Sequence, residues 1–355
     1  MSLKDLREQI DAIDEQLVAL LNERSKLSIE VGKRKASEPN ARYFAPERER
    51  DIFKRLLDLR GDGAMPNEGL IAVFREIISS SIALQKPMSI AYWGPPGTFT
   101  QMAALQRFGA SSLYHDCATI PDVFGEVERG NADYGVVPVE NSTEGVINYT
   151  LDMFHETQLT ICAEVNVDIV QNLLTKATDL SQIKRLYAGP QPLAQCRRWV
   201  DNHLPGVEVV QIMPTSKATE RAVGDPEGAA IAPKKASEVY DIPMLFEGIE
   251  DNPNNKTRFL VIGRNEPPPT GHDKTSILFA VKNQPGSLGR ALRAFENHSV
   301  NLTMIASRPA RNAAWDYVQF ADFQGHEKDA DVTGALDELR SHAIYVNVLG
   351  SYPEG

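Results

Sequence analysis

Pro138-Val139-Glu140-Asn141-Ser142-Thr143-Glu144-Gly145 and Asn254-Asn255-Lys256-Thr257-Arg258-Phe259 are the two stretches that decide how this chain is read. Each sets a polar cluster directly against an apolar strand pattern. Tyr134-Gly135-Val136-Val137-Pro138-Val139 runs into the first, and Leu260-Val261-Ile262 follows the second. Hydroxyl, amide and guanidinium groups at strand ends are how an open α/β sheet presents a ligand site at its carboxyl edge. One such cluster alone is as readily a capped turn; two on one scaffold favour a site.

Outward from these stretches, strand and helix patterns alternate from Ser89-Ile90-Ala91-Tyr92-Trp93 onward. Strands are expected over 134–139, 161–170, 184–188, 207–212 and 258–262. The alternation predicts an α/β unit over 88–264 with a largely parallel sheet, long enough for two lobes and a cleft. Pro87 marks its start, and residues 1–87 read as all helix. Leu6, Ile10, Ile13, Leu17, Leu20, Leu27 and Val31 form the seam of one long helix, capped by Ser2 and Asp5 and ended by Pro39. Helices over 46–59 and 67–85 are too short to cover it, so dimerisation is expected to complete this core. Residues 265–273 read as a Pro-rich linker, and 274–355 follow the βαββαβ order of a ferredoxin-like module, with one of its strands over 316–323.

The bulk numbers bound the function. With 355 residues, 42% hydrophobic and 24% charged, the chain has the composition of a multi-domain globular protein. A net charge of −11 invites neither nucleic acid nor an anionic membrane surface. Cys117, Cys162 and Cys196 are few, odd in number and dispersed, which speaks against a disulfide framework or a zinc ribbon. No signal-peptide pattern opens the chain and no apolar run approaches the roughly 18 residues of a membrane span. A cytoplasmic location is expected.

In the helical segment the apolar seam carries cations. Leu20 leads to Arg24, Leu27, Val31 and Lys35, while Arg7 lies one position off the seam. In the third helix Phe74 and Ile77 lead to Ser81 and Gln85, and Arg48 and Glu49 head the second. Unpaired buried charge costs several kcal/mol, so these side chains either snorkel to solvent or line a pocket for a small polyanion. Leu6-Arg7-Glu8-Gln9-Ile10-Asp11-Ala12-Ile13-Asp14, Glu23-Arg24, Glu30-Val31-Gly32-Lys33-Arg34-Lys35 and Glu47-Arg48-Glu49-Arg50 make this segment resemble the all-helical chorismate mutases. The resemblance implies that Arg24, Lys35 and Arg48, with Arg7 from a partner subunit, hold the two carboxylates of chorismate. It further implies that Lys35 and Gln85 bind the ether oxygen, that Glu49 binds the ring hydroxyl, and that Ser81 lines the pocket. A Claisen rearrangement needs no acid, base or nucleophile, only a held conformer and stabilised charge. Ala45 stands where some relatives carry an acidic residue.

Gly94-Pro95-Pro96-Gly97-Thr98-Phe99-Thr100 lacks the Lys-Ser/Thr of a phosphate loop, although free N–H groups there suit a carboxylate. With Pro138-Val139-Glu140-Asn141-Ser142, Pro190-Gln191-Pro192-Leu193-Ala194-Gln195-Cys196 and Thr257-Arg258-Phe259, it makes residues 90–262 resemble prephenate dehydratase. That resemblance implies loss of water and CO2 from prephenate to give phenylpyruvate, with no metal or organic cofactor. Thr257 would assist departure of the ring hydroxyl as a hydrogen-bonding acid, working through position. Asn141 and Gln195 would orient the substrate, Arg258 lend charge and Phe259 pack on the ring. Thr98, Glu140, Ser142 and Thr143 would complete the site. Ala188 and Gln171 depart from the serine and histidine of many relatives.

The last segment presents Asn283-Gln284-Pro285-Gly286-Ser287-Leu288 at a helix start and Ser307-Arg308-Pro309 at a strand end. It resembles the ACT domain, an amino-acid-binding regulatory module, which implies phenylalanine bound by these residues between subunits. Ala306 departs from the usual acidic residue. Together the three resemblances imply a bifunctional, phenylalanine-restrained enzyme acting on chorismate and prephenate as a homodimer or larger homo-oligomer. Two alternatives stay open: a phenylalanine sensor whose dehydratase part is degenerate, and an enzyme that prefers arogenate.

Overall fold

The computed structural model describes residues 1–38, 42–309 and 317–355. They form two compact units, one of residues 1–88 with 108–113 and one of 89–107 with 114–355.

The first unit is built on α1 (Leu3–Ala36), α2 (Pro46–Arg60) and α3 (Asn67–Gln85). Ser2 and Asp5 close a reciprocal capping box at 2.8 and 3.2 Å, and Lys33, Arg34 and Lys35 oppose the dipole at the other end. The helix end assigned to Pro39 lies outside the described residues. At 34 residues, α1 is about 51 Å long. Its seam meets α3 only near one end, where a Cβ on Gly32 would lie 2.8 Å from Gln85 Cα. Elsewhere the seam is bare: Ile10, Leu17, Leu20 and Leu27 are 51–69% exposed. Covering each such side chain is worth roughly 1.5–3 kcal/mol, so the helix is apolar where its own chain supplies no partner.

The next elements are β1 (Ser89–Trp93), α4 (Phe99–Phe108), β2 (Leu113–Cys117), α5 (Ile120–Arg129), β3 (Tyr134–Asn141), β4 (Gly145–Val146), α6 (Asn148–Met153) and β5 (Thr160–Asp168). The chain then crosses to a second lobe. That lobe holds β6 (Asn172–Thr175), β7 (Arg185–Ala188), α7 (Pro190–Gln195), α8 (Arg197–His203), β8 (Glu208–Gln211), α9 (Thr215–Val223), β9 (Gly228–Ala232), α10 (Lys234–Tyr240) and β10 (Met244–Phe246). It returns as β11 (Lys256–Gly263). The sheets are ordered β2-β1-β3-β11-β5, with β4 on β3, and β10-β6-β9-β7-β8.

The expectation of a largely parallel sheet needs correction. β1 pairs β3, and β7 pairs β8 and β9, in parallel, but β11 runs antiparallel to both β3 and β5, and β6 antiparallel to β9 and β10. The cause is the double crossing, which brings β11 back into the first sheet in the reverse direction. Five further strands (β2, β4, β6, β9, β10) were not anticipated. Gly228-Ala229-Ala230-Ile231-Ala232, for one, is buried on both faces and has no alternation to read.

The small module comprises β12 (Asp273–Ala280), α11 (Ser287–Asn297), β13 (Leu302–Pro309), β14 (Tyr317–Gln324), α12 (Ala330–His342) and β15 (Tyr345–Pro353). Asp316, expected to open β14, lies outside the described residues. Its sheet, ordered β13-β14-β12-β15, is antiparallel throughout, the ferredoxin-like arrangement expected. Both helices pack on one face, around Ile277, Phe279, Phe295, Phe323 and Leu336. The other face packs on the first lobe: Leu278, Phe320, Leu349 and Tyr352 share one core with Phe154, Ile161 and Leu260. At this seam a Cβ on Gly350 would fall 2.3 Å from Ile161 O, so only glycine permits the approach. The expected linker is anchored as well, Thr270 N–H donating to the Asp273 carboxylate at 2.7 Å. All three cysteines are buried and none is in a disulfide, and no helix among the described residues is long and apolar enough to cross a membrane.

Candidate active sites

In the helical unit, Arg24, Ser81 and Gln85 come together between α1 and α3. The Arg24 guanidinium donates to Ser81 Oγ and, at 3.4 Å, to Ile77 O. Gln85 Nε2 donates to Ser81 O at 3.2 Å, leaving Gln85 Oε1 buried with no hydrogen-bond partner among the described residues. The second N–H of that amide is the donor it could give the ether oxygen of a ligand. Burial lowers the Arg24 and Lys35 pKa values, and the Arg48 charge lowers both further; Arg42 adds to the effect on Lys35. These cations therefore repel one another at a place where Glu49 is also buried. Lys35 Nζ lies 5.4 Å from the centroid of the Tyr43 ring, a partner the sequence reading missed. Arg7 is exposed on α1. Seventeen residues separate it from Arg24, about 25 Å along a helix, so it cannot reach the cluster of its own chain.

In the cleft the two decisive stretches meet across the sheet. Thr257 of β11 pairs with Asn141 of β3, and both are buried. Asn141 Oδ1 accepts the backbone N–H groups of Thr143 and Glu144, each at 2.9 Å. Its amide orientation is thereby fixed, and Nδ2 donates to Thr257 Oγ1 at 2.9 Å and Asn255 Oδ1 at 2.8 Å. Because Thr257 Oγ1 accepts here, its own proton stays available to a ligand. Asn255, absent from the expected site residues, also accepts from Thr143 Oγ1 at 3.2 Å and Ser142 Oγ at 3.4 Å.

The second lobe contributes Gln195 at the end of α7. Its Nε2 donates to Glu144 Oε1 at 2.9 Å, and Gln191 Nε2 donates to the other carboxylate oxygen. Glu144 thus joins the lobes across the cleft, a role the motif contained but the sequence reading did not draw out. Gln171 Nε2 donates to Gln195 Oε1 at 2.9 Å, so the residue flagged as a departure here orients Gln195. Ala188 is fully buried at the end of β7. Thr98 sits before α4, with its Oγ1 3.4 Å from Gln101 N, and the neighbouring Pro96 carbonyl accepts from Tyr240 of the second lobe at 3.4 Å.

Arg258 and Glu140 are not brought to Thr257. Successive strand residues face opposite ways. Arg258 turns to the small module, bonding Glu164 at 2.6 Å and Asp322 at 2.5 Å, with Glu140 at 3.9 Å. Burial alone pulls the Arg258 pKa down, but Tyr352, Asp322 and Glu164 outweigh it and hold the guanidinium charged. Phe259 is 1% exposed, closed within the core of the first lobe's sheet.

In the small module, Asn283, Gln284 and Pro285 lead through Gly286 (φ +78°) into α11, where buried Ser287 accepts from Arg290 at 3.1 Å and Leu288 packs on the core. Ala280 and Arg308 both pair with Val318 of β14, so this loop and Ser307-Arg308-Pro309 share one end of the sheet. Ser307 Oγ donates to Gln319 at 2.5 Å. Arg308 is engaged within the chain, clasping Asp152 of α6 at 3.0–3.1 Å.

The family comparisons divide the chain as these sites do. Residues 6–86 match Chorismate mutase type II, 90–267 match Prephenate dehydratase and 275–341 match the ACT domain. The bifunctional chorismate mutase/prephenate dehydratase of Aquifex aeolicus is 47% identical over 99% of this chain and 98% of its own. Among solved structures, the prephenate dehydratase from Arthrobacter aurescens in complex with L-Phe covers 75% of this chain and 89% of its own, with 34% identity and TM-score 0.69. A protein described as GqqA, a novel type of quorum quenching acylase, has the same TM-score at 29% identity, covering 75% of this chain and 98% of its own. The fold alone therefore does not choose the activity, but near-full-length identity of this size does choose the family. This chain belongs to the bifunctional chorismate mutase/prephenate dehydratase family.

Proposed function

We propose that the chain rearranges chorismate to prephenate in the helical unit and converts prephenate to phenylpyruvate in the cleft, under restraint by phenylalanine. Domain limits of 1–87, 88–264 and 274–355, joined by 265–273, follow from this reading. Arg24, Lys35 and Arg48, completed by Arg7 of a second copy, hold the chorismate carboxylates. Lys35 and Gln85 meet the ether oxygen where charge develops, and Glu49 meets the ring hydroxyl. The bare α1 seam supports a homodimer as the working form. A cytoplasmic location suits metabolites of this kind.

The observation that carries the dehydratase assignment is the Asn141–Thr257 bond, in which the threonine accepts and keeps its proton for a ligand. In the proposed step the carboxylate C–C bond breaks and its electron pair enters the ring. The ring C–O bond breaks in turn, and the hydroxyl leaves as water with a proton from Thr257, which solvent restores. Gln195 and Asn141 orient the substrate, with Thr98, Ser142 and Thr143 around it. Phenylalanine binds through the 283–288 loop and Ser307-Arg308-Pro309. Phenylpyruvate formation from prephenate, measured on the full chain and on Thr257→Ala with and without phenylalanine, tests this. Collapse in the variant and inhibition of the parent are expected. A parent without activity that still consumes chorismate would leave a mutase with a sensor.

A further inference from the structure

Behind Thr257, on the far face of β11, lies a buried ionic cluster that the catalytic reading does not use. Glu164 of β5 receives Arg258 Nε at 2.6 Å, Lys274 Nζ at 2.8 and 3.0 Å, and the Gly355 N–H at 2.9 Å. Asp322 of β14 receives Arg258 Nη1 at 2.5 Å and Ser276 Oγ at 2.5 Å. Tyr352 of β15 accepts from Arg258 Nη2 at 2.9 Å and lies 2.7 Å from Ser276 Oγ. Two cations balance two anions, and the Glu164 and Asp322 side chains have no solvent exposure. Of this cluster, Arg258 and Glu164 belong to the dehydratase lobe; Lys274, Ser276, Asp322 and Tyr352 belong to the three adjoining strands of the small module. Such a cluster adds little to stability compared with apolar packing, yet breaking it is costly, so it resists partial rearrangement. It also meets β11 at the residue next to Thr257.

We propose that Arg258 is a positioning residue, and that the Glu164–Arg258–Asp322–Lys274 cluster transmits the state of the small module to Thr257 through the shared strand. This rests on the dehydratase reading of the cleft. Charge at Arg258 acts on the placement of β11, while substrate contact stays with the groups on the other face. Loss of the cluster then lowers turnover more than substrate affinity and uncouples phenylalanine from the cleft.

The test uses the full chain carrying Asp322→Asn. Phenylpyruvate formation is measured against prephenate and phenylalanine concentration, and prephenate formation from chorismate in the same preparation reports folding. We expect kcat of the dehydratase to fall about tenfold with KM changed less than about twofold. The phenylalanine midpoint should rise at least about fivefold, the coupling expected of such a cluster. Mutase turnover should be unchanged. A lowered melting temperature with unchanged kcat and midpoint would make the cluster structural only and overturn the inference. If Asp322→Asn fails to fold, Ser276→Ala, which removes one bond to Asp322, must give the same split at smaller size or the inference fails. A parent that forms no phenylpyruvate removes the dehydratase reading and this inference with it; an active parent with an indifferent variant removes the inference alone.

Discussion

In the helical unit, burial and the charge of Arg48 lower the pKa values of both Arg24 and Lys35, and Arg7 cannot reach them along its own helix. In the cleft, Asn141, Asn255 and Thr257 are neutral and bonded to one another, Gln195 reaches the Glu144 carboxylate from the second lobe, and all are supplied by a single chain. The contrast follows the two reactions. A dianion that must be held in a chair-like conformer gains from a cationic clamp, and the ether oxygen gains from an adjacent ammonium. A carboxylate that must leave as CO2 is better left without a close cation, which would stabilise the ground state it departs from. Turning Arg258 away from Thr257 serves that chemistry.

The strongest way to break this comparison is a reciprocal pair of variants. Lys35→Ala should cost the mutase about 10³-fold in kcat, the upper range for losing one donor at a developing charge. Thr257→Ala should cost the dehydratase about 10²-fold, as expected of a positioned proton donor. Each variant should leave the other reaction of the same polypeptide within about twofold, since additivity holds for sites that share no residue or bonding partner. Initial rates on chorismate and on prephenate decide this; a loss in both from either substitution would mean that the sites are not independent.

The proposed sharing of the helical site between two copies can be tested by mixing. Arg7→Ala and Lys35→Ala preparations, each inactive as a mutase, should regain about a quarter of parental turnover when co-refolded. Half of randomly paired dimers are mixed, and a two-fold axis leaves one of their two sites intact. Dehydratase turnover should not depend on mixing. No recovery would place Arg7 outside the pocket.

Much of this was legible in the sequence, and the reasons for the misses are physical. Asn141 and Thr257 were found because one polar residue closes an apolar strand and the other opens one. The alternation of strand faces also carried a signal that went unused: adjacent Thr257 and Arg258 cannot both face one cleft. The direction of β11 was hidden, because the same apolar run serves either direction. Partners from remote segments were equally hidden, as with Glu144 against Gln191 and Gln195. In the helical unit the seam announced both the bundle and its exposed apolar face, but Tyr43 beneath Lys35 lies in a loop with no period to read.

The two regions should also part company with pH. Burial and the charges of Arg48 and Arg42 hold the Lys35 pKa below 10.5, so mutase kcat/KM should decline on the alkaline side before an ordinary lysine would titrate. The fold feels the opposite sign. Below its folded pKa, Lys35 carries a penalty, which is relieved as pH rises from there towards the unfolded value. Glu164 behaves the other way. Burial raises its pKa, but Arg258 and Lys274 outweigh burial and hold it below 4.5. Its contribution is therefore full above the unfolded value and lost as pH falls through the folded one. Thermal melts should show acid loosening of the unit that contains the cleft, and Glu164→Gln should weaken that acid dependence, leaving the part carried by other lowered carboxylates such as Asp225.

The smallest expected effect concerns Gln171, the residue that stood out as a departure from the histidine of relatives. Its amide donates to Gln195 Oε1 at 2.9 Å, while its backbone N–H is held by the Glu250 carboxylate at 2.7 Å. The bond to Gln195 fixes which end of that amide faces Glu144 and the cleft. Removing it with Gln171→Ala leaves Gln195 free to flip, and a neutral hydrogen bond of this kind is worth about 0.5–1.5 kcal/mol. Dehydratase kcat should therefore fall about two- to tenfold, with mutase activity untouched. Gln171→His, which keeps a ring N–H in reach of the same oxygen, should restore most of the loss. A drop as large as that of Thr257→Ala would mean that Gln171 itself meets the substrate. No drop at all would mean that Glu144 and Gln191 suffice to orient Gln195, and that the hydrogen-bond network across the cleft is more redundant than the cationic clamp in the helices.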